Sequence, residues 1–188
     1  MIDKIIWILV AVFPVSEIVL AVVKRARRDA AHVEDRGSMR LLWLTIIAAI
    51  VLAIVFQSFR AGRFPLSPLL GRMLTIACLV CGFAIRWASI FALGRLFTVD
   101  VAVQQGHTVV QTGMYKYIRH PSYTGLLLTF AGLGLFFANW LSLAVLMVPI
   151  GLAVANRIAK EESVLRAALG KPYIEYCART KRIIPGIL

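Results

Sequence analysis

Cysteines and acidic residues are scarce in this chain of 188 residues. It contains three cysteines and nine Asp and Glu residues, against 21 Lys and Arg residues. Cys78, Cys81 and Cys177 are too few and too unevenly spaced for a disulfide framework, which excludes a disulfide-stabilised secreted domain. The cysteines and the three histidines also lack the spacing of a metal-ligand set. We therefore expect no bound metal.

Apolar residues, in contrast, make up 60% of the chain, which is more than a soluble domain of this length can bury. Apolar runs of about 20 residues are typical of membrane-spanning helices. Five such runs lie at about 4–23, 41–58, 73–93, 122–138 and 141–158. The first contains Glu17 and lacks a small-residue cleavage site, so we interpret it as a helix and not as a signal peptide. The sequence predicts an all-α integral membrane bundle of five transmembrane helices.

The net charge of +12 would suggest a nucleic-acid partner in a soluble protein, but here the basic residues are sorted by loop. Segments 24–40, 94–123 and 157–188 contain sixteen Lys and Arg residues, and the connections on the other side contain four. Because positive charge accumulates in cytoplasmic loops, we predict an external N-terminus, a cytoplasmic C-terminus and no nucleic-acid partner. The expected location is a multi-pass position in a prokaryotic inner (plasma) membrane.

Two charged residues lie inside predicted spans. Glu17 precedes Lys24 by seven residues, and Arg86 precedes Gly94 by eight. At 1.5 Å per residue, both lie about 10 Å inside the cytoplasmic boundary. Single charges inside a bilayer are costly and are usually paired. We therefore expect Glu17 and Arg86 to face each other, either to fix the register of two helices or to line a pocket.

The segment 94–121 is a long polar connection between spans, and such loops are more often functional than not. Residues 99–103 and 108–110 are predicted to be extended. Pro121 lacks a backbone N–H and suits the first turn of a helix, so the fourth span begins there. Gly125, Thr129 and Gly132 recur at helical spacing, which predicts close contact with another helix.

The run from Tyr115 to Gly125 concentrates cations, aromatic rings and an imidazole at the start of the fourth span. Residues 139–140 leave room only for a tight turn, so spans four and five form a hairpin. This hairpin returns Glu161 and Glu162 to the cytoplasmic side, beside the basic cluster. Beyond Gly170 a short amphipathic helix is expected over this site. The sequence thus predicts a polar pocket at the cytoplasmic membrane face.

Four motifs carry a resemblance to a known family. They are Gly113-Met114-Tyr115, Arg119-His120-Pro121-Ser122-Tyr123-Thr124-Gly125, Glu161-Glu162 with Leu165, and Gly170-Lys171-Pro172-Tyr173-Ile174-Glu175-Tyr176. Together they resemble the isoprenylcysteine carboxyl methyltransferase and phospholipid methyltransferase family of membrane proteins. The resemblance covers about residues 94–188. It divides the chain into an N-terminal three-span region, 1–93, and a catalytic, cofactor-binding region, 94–188.

The resemblance implies S-adenosylmethionine as the methyl donor, bound on the cytoplasmic side. The implied donor-binding residues are His107, Tyr115, Arg119, His120, Pro121, Tyr123, Gly125, Glu161 and Glu162. The implied catalytic residues are Glu162, Arg182 and His120. The implied acceptor is a lipophilic molecule that enters from the bilayer through a gap between helices.

These residue types suit the chemistry of the donor. Tyrosine rings suit its sulfonium at roughly 0.5–2 kcal/mol per contact, and Arg119 or His120 suits its carboxylate. Adjacent helical residues point about 100° apart. One of Glu161 and Glu162 is therefore expected to bind the ligand, while the other pairs with an arginine, either Arg179 or Arg182.

The residues leave the acceptor open. A carboxylate acceptor is already anionic and needs no general base, and Arg182 would hold it. A lipid amine needs a base, for which Glu162 and His120 are the candidates. The leading hypothesis is carboxyl methylation of a prenylated cysteine or a similar lipid-like acid. The alternatives are N-methylation of a phospholipid amine, methylation of a small hydrophobic thiol, and a non-catalytic membrane scaffold.

Overall fold

The computed structural model describes residues 1–23, 31–35, 37–59, 62–104 and 106–186. Within these ranges the chain forms six α-helices and one pair of strands. The helices are α1 (Ile2–Val23), α2 (Gly37–Phe56), α3 (Pro68–Leu93), α4 (Pro121–Phe136), α5 (Trp140–Leu169) and α6 (Lys171–Arg179). The strands are β1 (Ala31–Asp35) and β2 (Val101–Gln104), which pair antiparallel.

Five of these helices are apolar, which confirms the predicted all-α membrane bundle. Helices α1, α2, α3 and α5 are long and apolar enough to cross a membrane. Helix α4 has 16 residues and is about 24 Å long, which is less than the roughly 30 Å of a hydrocarbon core. Helix α5 has 30 residues and continues to Leu169 instead of ending near residue 158. Glu161 and Glu162 therefore belong to the last spanning helix itself.

The helices pack in an order that differs from their order in the chain. Helix α1 packs on α3, α3 on α4, α4 on α5, and α5 on α2. The two helices at the ends of this order, α1 and α2, line the same cavity together with α4. The buried apolar core of the bundle comes from α2, α4 and α5, and includes Leu42, Ile46, Ala49, Leu126, Phe130, Leu146, Ile150 and Val154.

The closest helix contact is that between α3 and α4, and glycine makes it possible. A Cβ atom on Gly125 would lie 2.5 Å from the carbonyl oxygen of Gly82, and one on Gly82 would lie 2.6 Å from the Thr129 hydroxyl. A Cβ atom on Gly132 would lie 2.9 Å from that of Cys78. The predicted small-residue stripe on α4 is thereby confirmed as a packing surface.

A tight turn joins α4 to α5, as predicted. Ala138 has a left-handed backbone with φ 50°, and Asn139 caps the start of α5. The Asn139 side-chain oxygen accepts from the backbone N–H of Leu141 at 2.8 Å, while its amide donates to the Phe59 carbonyl at 2.9 Å. Asn139 is fully buried. One side chain thus satisfies the first turn of α5 and fixes the loop that follows α2.

The predicted intramembrane pair is also confirmed. Arg86 of α3 donates through Nε and Nη2 to the two carboxylate oxygens of Glu17 on α1. Its Nη1 donates to the Ser122 carbonyl at 3.2 Å, in the first turn of α4. Both charged residues are buried. This bidentate pair attaches α1 to the rest of the bundle.

Part of the predicted basic linker at 24–40 can be placed. The segment contains β1, which pairs with β2 and so accounts for the extended chain expected at 99–103. The basic residues Lys24, Arg25, Arg27, Arg28 and Arg36, and Arg60 on the other side, lie outside the described residues.

Substitution of Gly82 by alanine should separate α3 from α4, because the new Cβ atom meets the Thr129 hydroxyl and the Gly125 carbonyl. We expect a loss of about 1–3 kcal/mol in the free energy of unfolding, as for over-packing elsewhere. The matched control is Gly151→Ala, because nothing lies within 4 Å of that position. Thermal unfolding in detergent measures both. Equal melting temperatures for the two variants would contradict the close contact.

Removal of one member of the Glu17–Arg86 pair should leave a buried charge alone. We expect Glu17→Gln and Arg86→Gln each to cost about 3–5 kcal/mol. The double variant Glu17→Gln/Arg86→Gln should cost less than the sum of the two, because it leaves no uncompensated charge. Thermal unfolding of the four proteins measures the coupling, and strict additivity would show that the two residues act independently.

Candidate active site

The C-terminal segment lies along the segment that precedes α4. The backbone N–H of Arg119 donates to the Lys181 carbonyl at 2.7 Å, and that of His120 donates to the Arg182 carbonyl at 2.9 Å. Lys181 donates back to the Tyr117 carbonyl at 3.2 Å. This pairing places the basic cluster and the end of the chain side by side, although they are some 60 residues apart in sequence.

Arg119 connects three elements at this position. Its Nε donates to Glu162 of α5 at 2.9 Å. Its Nη1 donates to the Cys177 carbonyl of α6 at 3.1 Å and to the Thr180 carbonyl. Through these contacts of Nε and Nη1, Arg119 connects α5 and α6 to the segment that begins α4.

Glu162 is the centre of the basic cluster. Only 2% of its side chain is exposed, and it binds Arg119, Arg182 at 3.0 Å and Arg166 at 3.1 Å. The Nε2 atom of His120 lies 3.4 Å from Glu162 Oε1. The predicted placement of the acidic pair beside the basic cluster is confirmed, and so is the pairing of one glutamate with Arg182. Arg179 instead donates to Gln111 and to the Glu175 carbonyl.

Glu161 has a different environment from its neighbour. Its side chain is 32% exposed, and its Oε2 accepts from the Tyr123 hydroxyl at 3.1 Å. The Nδ1 atom of His120 lies 3.9 Å from Glu161 Oε1, beyond hydrogen-bond distance. The His120 ring therefore lies between the two carboxylates, and Glu161 is the one that lines the cavity.

Two further predicted residues line the same cavity, His107 and Tyr115. Burial raises the pKa of the Tyr115 hydroxyl far above its usual range, and Glu161 raises it further. Burial lowers the pKa of His107, against an opposing effect of Glu161, so the His107 ring is neutral at pH 7. The Tyr115 hydroxyl donates to the Ser89 carbonyl at 3.3 Å. Both residues remain uncharged beside the glutamate.

The cavity has a volume of about 640 Å³ and two chemically different ends. Its polar end is lined by His107, Tyr115, Arg119, His120, Tyr123 and Glu161. Its apolar end lies among α1, α2 and α4, where Trp7, Phe13, Ile46, Ile50, Phe130 and Phe136 line it. Tyr173 and Tyr176 of α6 close the polar end, which places this helix over the pocket as predicted.

Four predicted site residues do not line the cavity: Pro121, Gly125, Glu162 and Arg182. Pro121 begins α4, and Gly125 faces Gly82 and Arg86 of α3. Glu162 and Arg182 pair with each other behind the polar end. These residues shape the site from its outer side.

Two residues that sequence reasoning did not assign lie in the polar end. Asp100, immediately before β2, is buried, and its Oδ2 has no hydrogen-bond partner. Arg157 of α5 is 3% exposed, although charge counting had placed it among the cytoplasmic loop cations. The available signal for Arg157 was its spacing of one helical turn from Glu161, which puts both on the same face of α5.

The fold and the site together define a multi-pass membrane protein in which a polar pocket continues into an apolar cavity. The sequence model of the isoprenylcysteine carboxyl methyltransferase (ICMT) family matches residues 74–167, half of the chain. This protein therefore belongs to the ICMT family.

Named relatives agree with this assignment. Protein-S-isoprenylcysteine O-methyltransferase B of Arabidopsis thaliana is 30% identical over 114 residues, which cover 60% of this chain and 58% of the relative. The Saccharomyces cerevisiae protein-S-isoprenylcysteine O-methyltransferase is 28% identical over 144 residues, 76% of this chain and 60% of the relative. The Mus musculus protein of the same name is 29% identical over 110 residues, which cover 57% of this chain and 39% of the relative.

The match is partial in both directions. The chain spans about three fifths of the length of the plant and yeast relatives it matches. These relatives are eukaryotic, so they give no support to the expected prokaryotic inner membrane. The apolar helices support the coarser statement that this is a multi-pass membrane protein.

The two adjacent glutamates should respond differently to substitution. Glu162→Gln leaves the buried Arg119 guanidinium without its carboxylate, so we expect a loss of about 3–5 kcal/mol in the free energy of unfolding. Glu161→Gln removes a partly exposed carboxylate and should cost less than about 1 kcal/mol. Thermal unfolding of both variants measures the difference. Equal destabilisation would contradict the division between a buried structural glutamate and one that faces the cavity.

Proposed function

We propose that this protein is a membrane-embedded methyltransferase that uses S-adenosylmethionine to methylate the carboxylate of a prenylcysteine or a similar lipid-like acid. The observation that carries this proposal is a continuous cavity, whose polar end continues directly into an apolar end between α1 and α2. A reaction between a charged nucleotide and a lipid needs both environments in contact. Membership of the ICMT family supports the same reaction.

The polar end fits the methyl donor. Buried side-chain atoms without a hydrogen-bond partner are costly unless a ligand satisfies them. Two such atoms belong to residues that line this end, namely His107 Nδ1 and Asp100 Oδ2. A ligand with several donors and acceptors, such as S-adenosylmethionine, would satisfy them. When bound, it supplies an activated methyl group on a sulfonium.

The two glutamates take separate roles in this proposal. Glu161, which is partly exposed and lines the cavity, would bind the donor's ammonium group or a ribose hydroxyl. Glu162, which is buried among arginines, would hold Arg119 and Arg182 in place. The faces of Tyr115 and Tyr123 would contact the sulfonium. The sequence left the choice between the glutamates open, and their different burial supports this assignment.

The apolar end suits the acceptor's lipid chain. Its aromatic and aliphatic lining, with Phe13 on α1, Ile46 on α2 and Phe130 on α4, favours a prenyl or acyl chain over a polar group. An acceptor carboxylate is already anionic, so the residues need only orient it and exclude water. Arg182, the candidate from the sequence to hold that carboxylate, is 52% exposed but pairs with Glu162 outside the cavity. It would have to leave Glu162 and turn into the cavity to take this role.

We further propose that the polar end faces the cytoplasm. The C-terminal half of α5, α6 and the final segment carry most of the described basic residues near the site, including Lys160, Arg166, Lys171, Arg179, Lys181 and Arg182. Basic residues next to spanning helices are retained on the cytoplasmic side. The methyl donor would then enter from the cytoplasm and the acceptor from the bilayer.

Methyl transfer to N-acetyl-S-farnesylcysteine is the direct test. Purified protein in lipid nanodiscs, given donor with a tritiated methyl group, should release base-labile radioactivity, because a carboxyl methyl ester is cleaved by base. Glu161→Gln should weaken the binding of S-adenosylhomocysteine by about tenfold or more, the usual effect of one charge-assisted hydrogen bond. Arg72→Gln, which breaks an exposed ion pair with Asp3, should change neither quantity.

Three outcomes would overturn parts of this proposal. No binding of S-adenosylhomocysteine to the purified protein would favour a non-catalytic scaffold. A methylated phospholipid whose label resists base would favour N-methylation of a lipid amine. Unchanged donor affinity in Glu161→Gln would remove this residue from the donor site while leaving the reaction in place.

A further inference from the structure

Arg157 is a buried cation with three hydrogen-bonding contacts on three different elements. Its Nε donates to the Tyr123 hydroxyl of α4 at 2.7 Å. Its Nη1 donates to the Ser38 hydroxyl of α2 at 3.0 Å, and its Nη2 donates to the Val99 carbonyl before β2. A charge with 3% exposure inside a membrane bundle is costly unless its surroundings need it.

The directions of these hydrogen bonds are fixed by chemistry. A guanidinium only donates, so the Tyr123 oxygen must accept from Arg157. The single proton of the Tyr123 hydroxyl is then left for Glu161, whose Oε2 lies 3.1 Å away. Arg157 thus makes Tyr123 a donor to Glu161.

The spacing of Arg157 and Glu161 makes this arrangement informative. Residues four apart on a helix usually form a direct ion pair when their charges are opposite. In the described part of the chain, the Tyr123 hydroxyl lies between the two side chains, and no direct pair forms. A direct pair would occupy Glu161 with a guanidinium. The inserted hydroxyl instead holds one carboxylate oxygen, Oε2, of a residue that lines the cavity.

We propose that Arg157 is a positioning residue for the methyl donor. It acts through Tyr123, whose hydroxyl it orients toward Glu161, so that Glu161 presents a carboxylate in a fixed position to the cationic end of the donor. This inference rests on the proposed function, because it assigns Glu161 to the donor. It adds a residue to which neither the sequence motifs nor the family match gave a role.

A merely structural role is the competing explanation. Arg157 also ties α2 and the segment before β2 to α5, so its loss will lower stability in either case. The two explanations differ in how the effects of Arg157 and Tyr123 substitutions on donor affinity combine. A positioning residue that acts through Tyr123 has no further effect on donor affinity once the hydroxyl is gone, whereas a structural tie lowers affinity independently of it.

A double-mutant cycle separates the two. The affinity for S-adenosylhomocysteine is measured by calorimetry in nanodiscs for the wild type, Arg157→Gln, Tyr123→Phe and the double variant. We expect each single substitution to weaken binding by about tenfold, the effect of a lost hydrogen bond to a charged group. The double variant should bind within about threefold of Tyr123→Phe. A loss near a hundredfold, the product of the two, would overturn the proposal.

Two further variants keep the test decisive. Arg157→Lys retains the charge and one hydrogen-donating nitrogen, so it should bind S-adenosylhomocysteine better than Arg157→Gln does. Equal losses would contradict an oriented hydrogen bond. Arg157→Lys also replaces Arg157→Gln in the cycle if the latter does not fold. Arg72→Gln removes an arginine from an exposed ion pair with Asp3, away from the cavity, and should bind like the wild type.

The kinetic constants give a second readout. With N-acetyl-S-farnesylcysteine as acceptor, Arg157→Gln should raise the KM for donor by about tenfold, Arg157→Lys should raise it less, and both should leave the KM for acceptor within about threefold. A parallel rise in both would indicate general loosening of the cavity and would overturn the proposal. If the wild type binds no S-adenosylhomocysteine, both the proposed function and this inference fail. If it binds but the cycle is additive, only this inference fails.

Discussion

The Glu162 carboxylate is the interaction on which the polar half of this molecule depends. It is almost fully buried, and it binds arginines from the segment before α4, from its own helix and from the C-terminal segment. Without it, the guanidinium groups of Arg119, Arg166 and Arg182 would lose the carboxylate that they share. Because the three cations come from distant parts of the chain, one carboxylate fixes the relative positions of the basic motif, α5 and the end of the chain.

The same constraint operates deeper in the bundle. Burial of a charge in an apolar environment costs several kcal/mol unless a partner compensates it. Each buried charge here therefore binds a group on another helix and connects the two helices. Glu17 and Arg86 attach α1 to α3 and to the start of α4. Arg157 attaches α5 to α4 and α2. Glu17, Arg86 and Arg157 all line the cavity. Their contacts hold the surrounding helices in place, so the apolar end of the cavity remains next to its polar end.

Much of this arrangement could be predicted from the sequence, because local chemistry determines it. Apolar length predicted the helices, Pro121 predicted the start of α4, and the glycine spacing predicted a close helix contact on α4 but not that its partner is α3. The Glu17–Arg86 pair followed from depth alone, since two charges at equal depth have few other partners. The length of α5 was underestimated, because its charged last turns resemble a loop in composition but remain helical. The pairing of residues 117–120 with 180–182 had no sequence signal, since backbone hydrogen bonds do not depend on side-chain type.

The sequence by itself determined which residue types are present and which segments are apolar enough to form the membrane bundle, because hydropathy acts on each segment separately. Only the tertiary structure decided how neighbouring residues divide their roles. Glu161 and Glu162 are chemically identical and adjacent, yet the rotation of α5 turns one toward three arginines and the other toward the cavity. Arg157 was likewise indistinguishable from a loop cation until packing enclosed it. Burial depends on what the other helices cover, and a single segment does not contain that information.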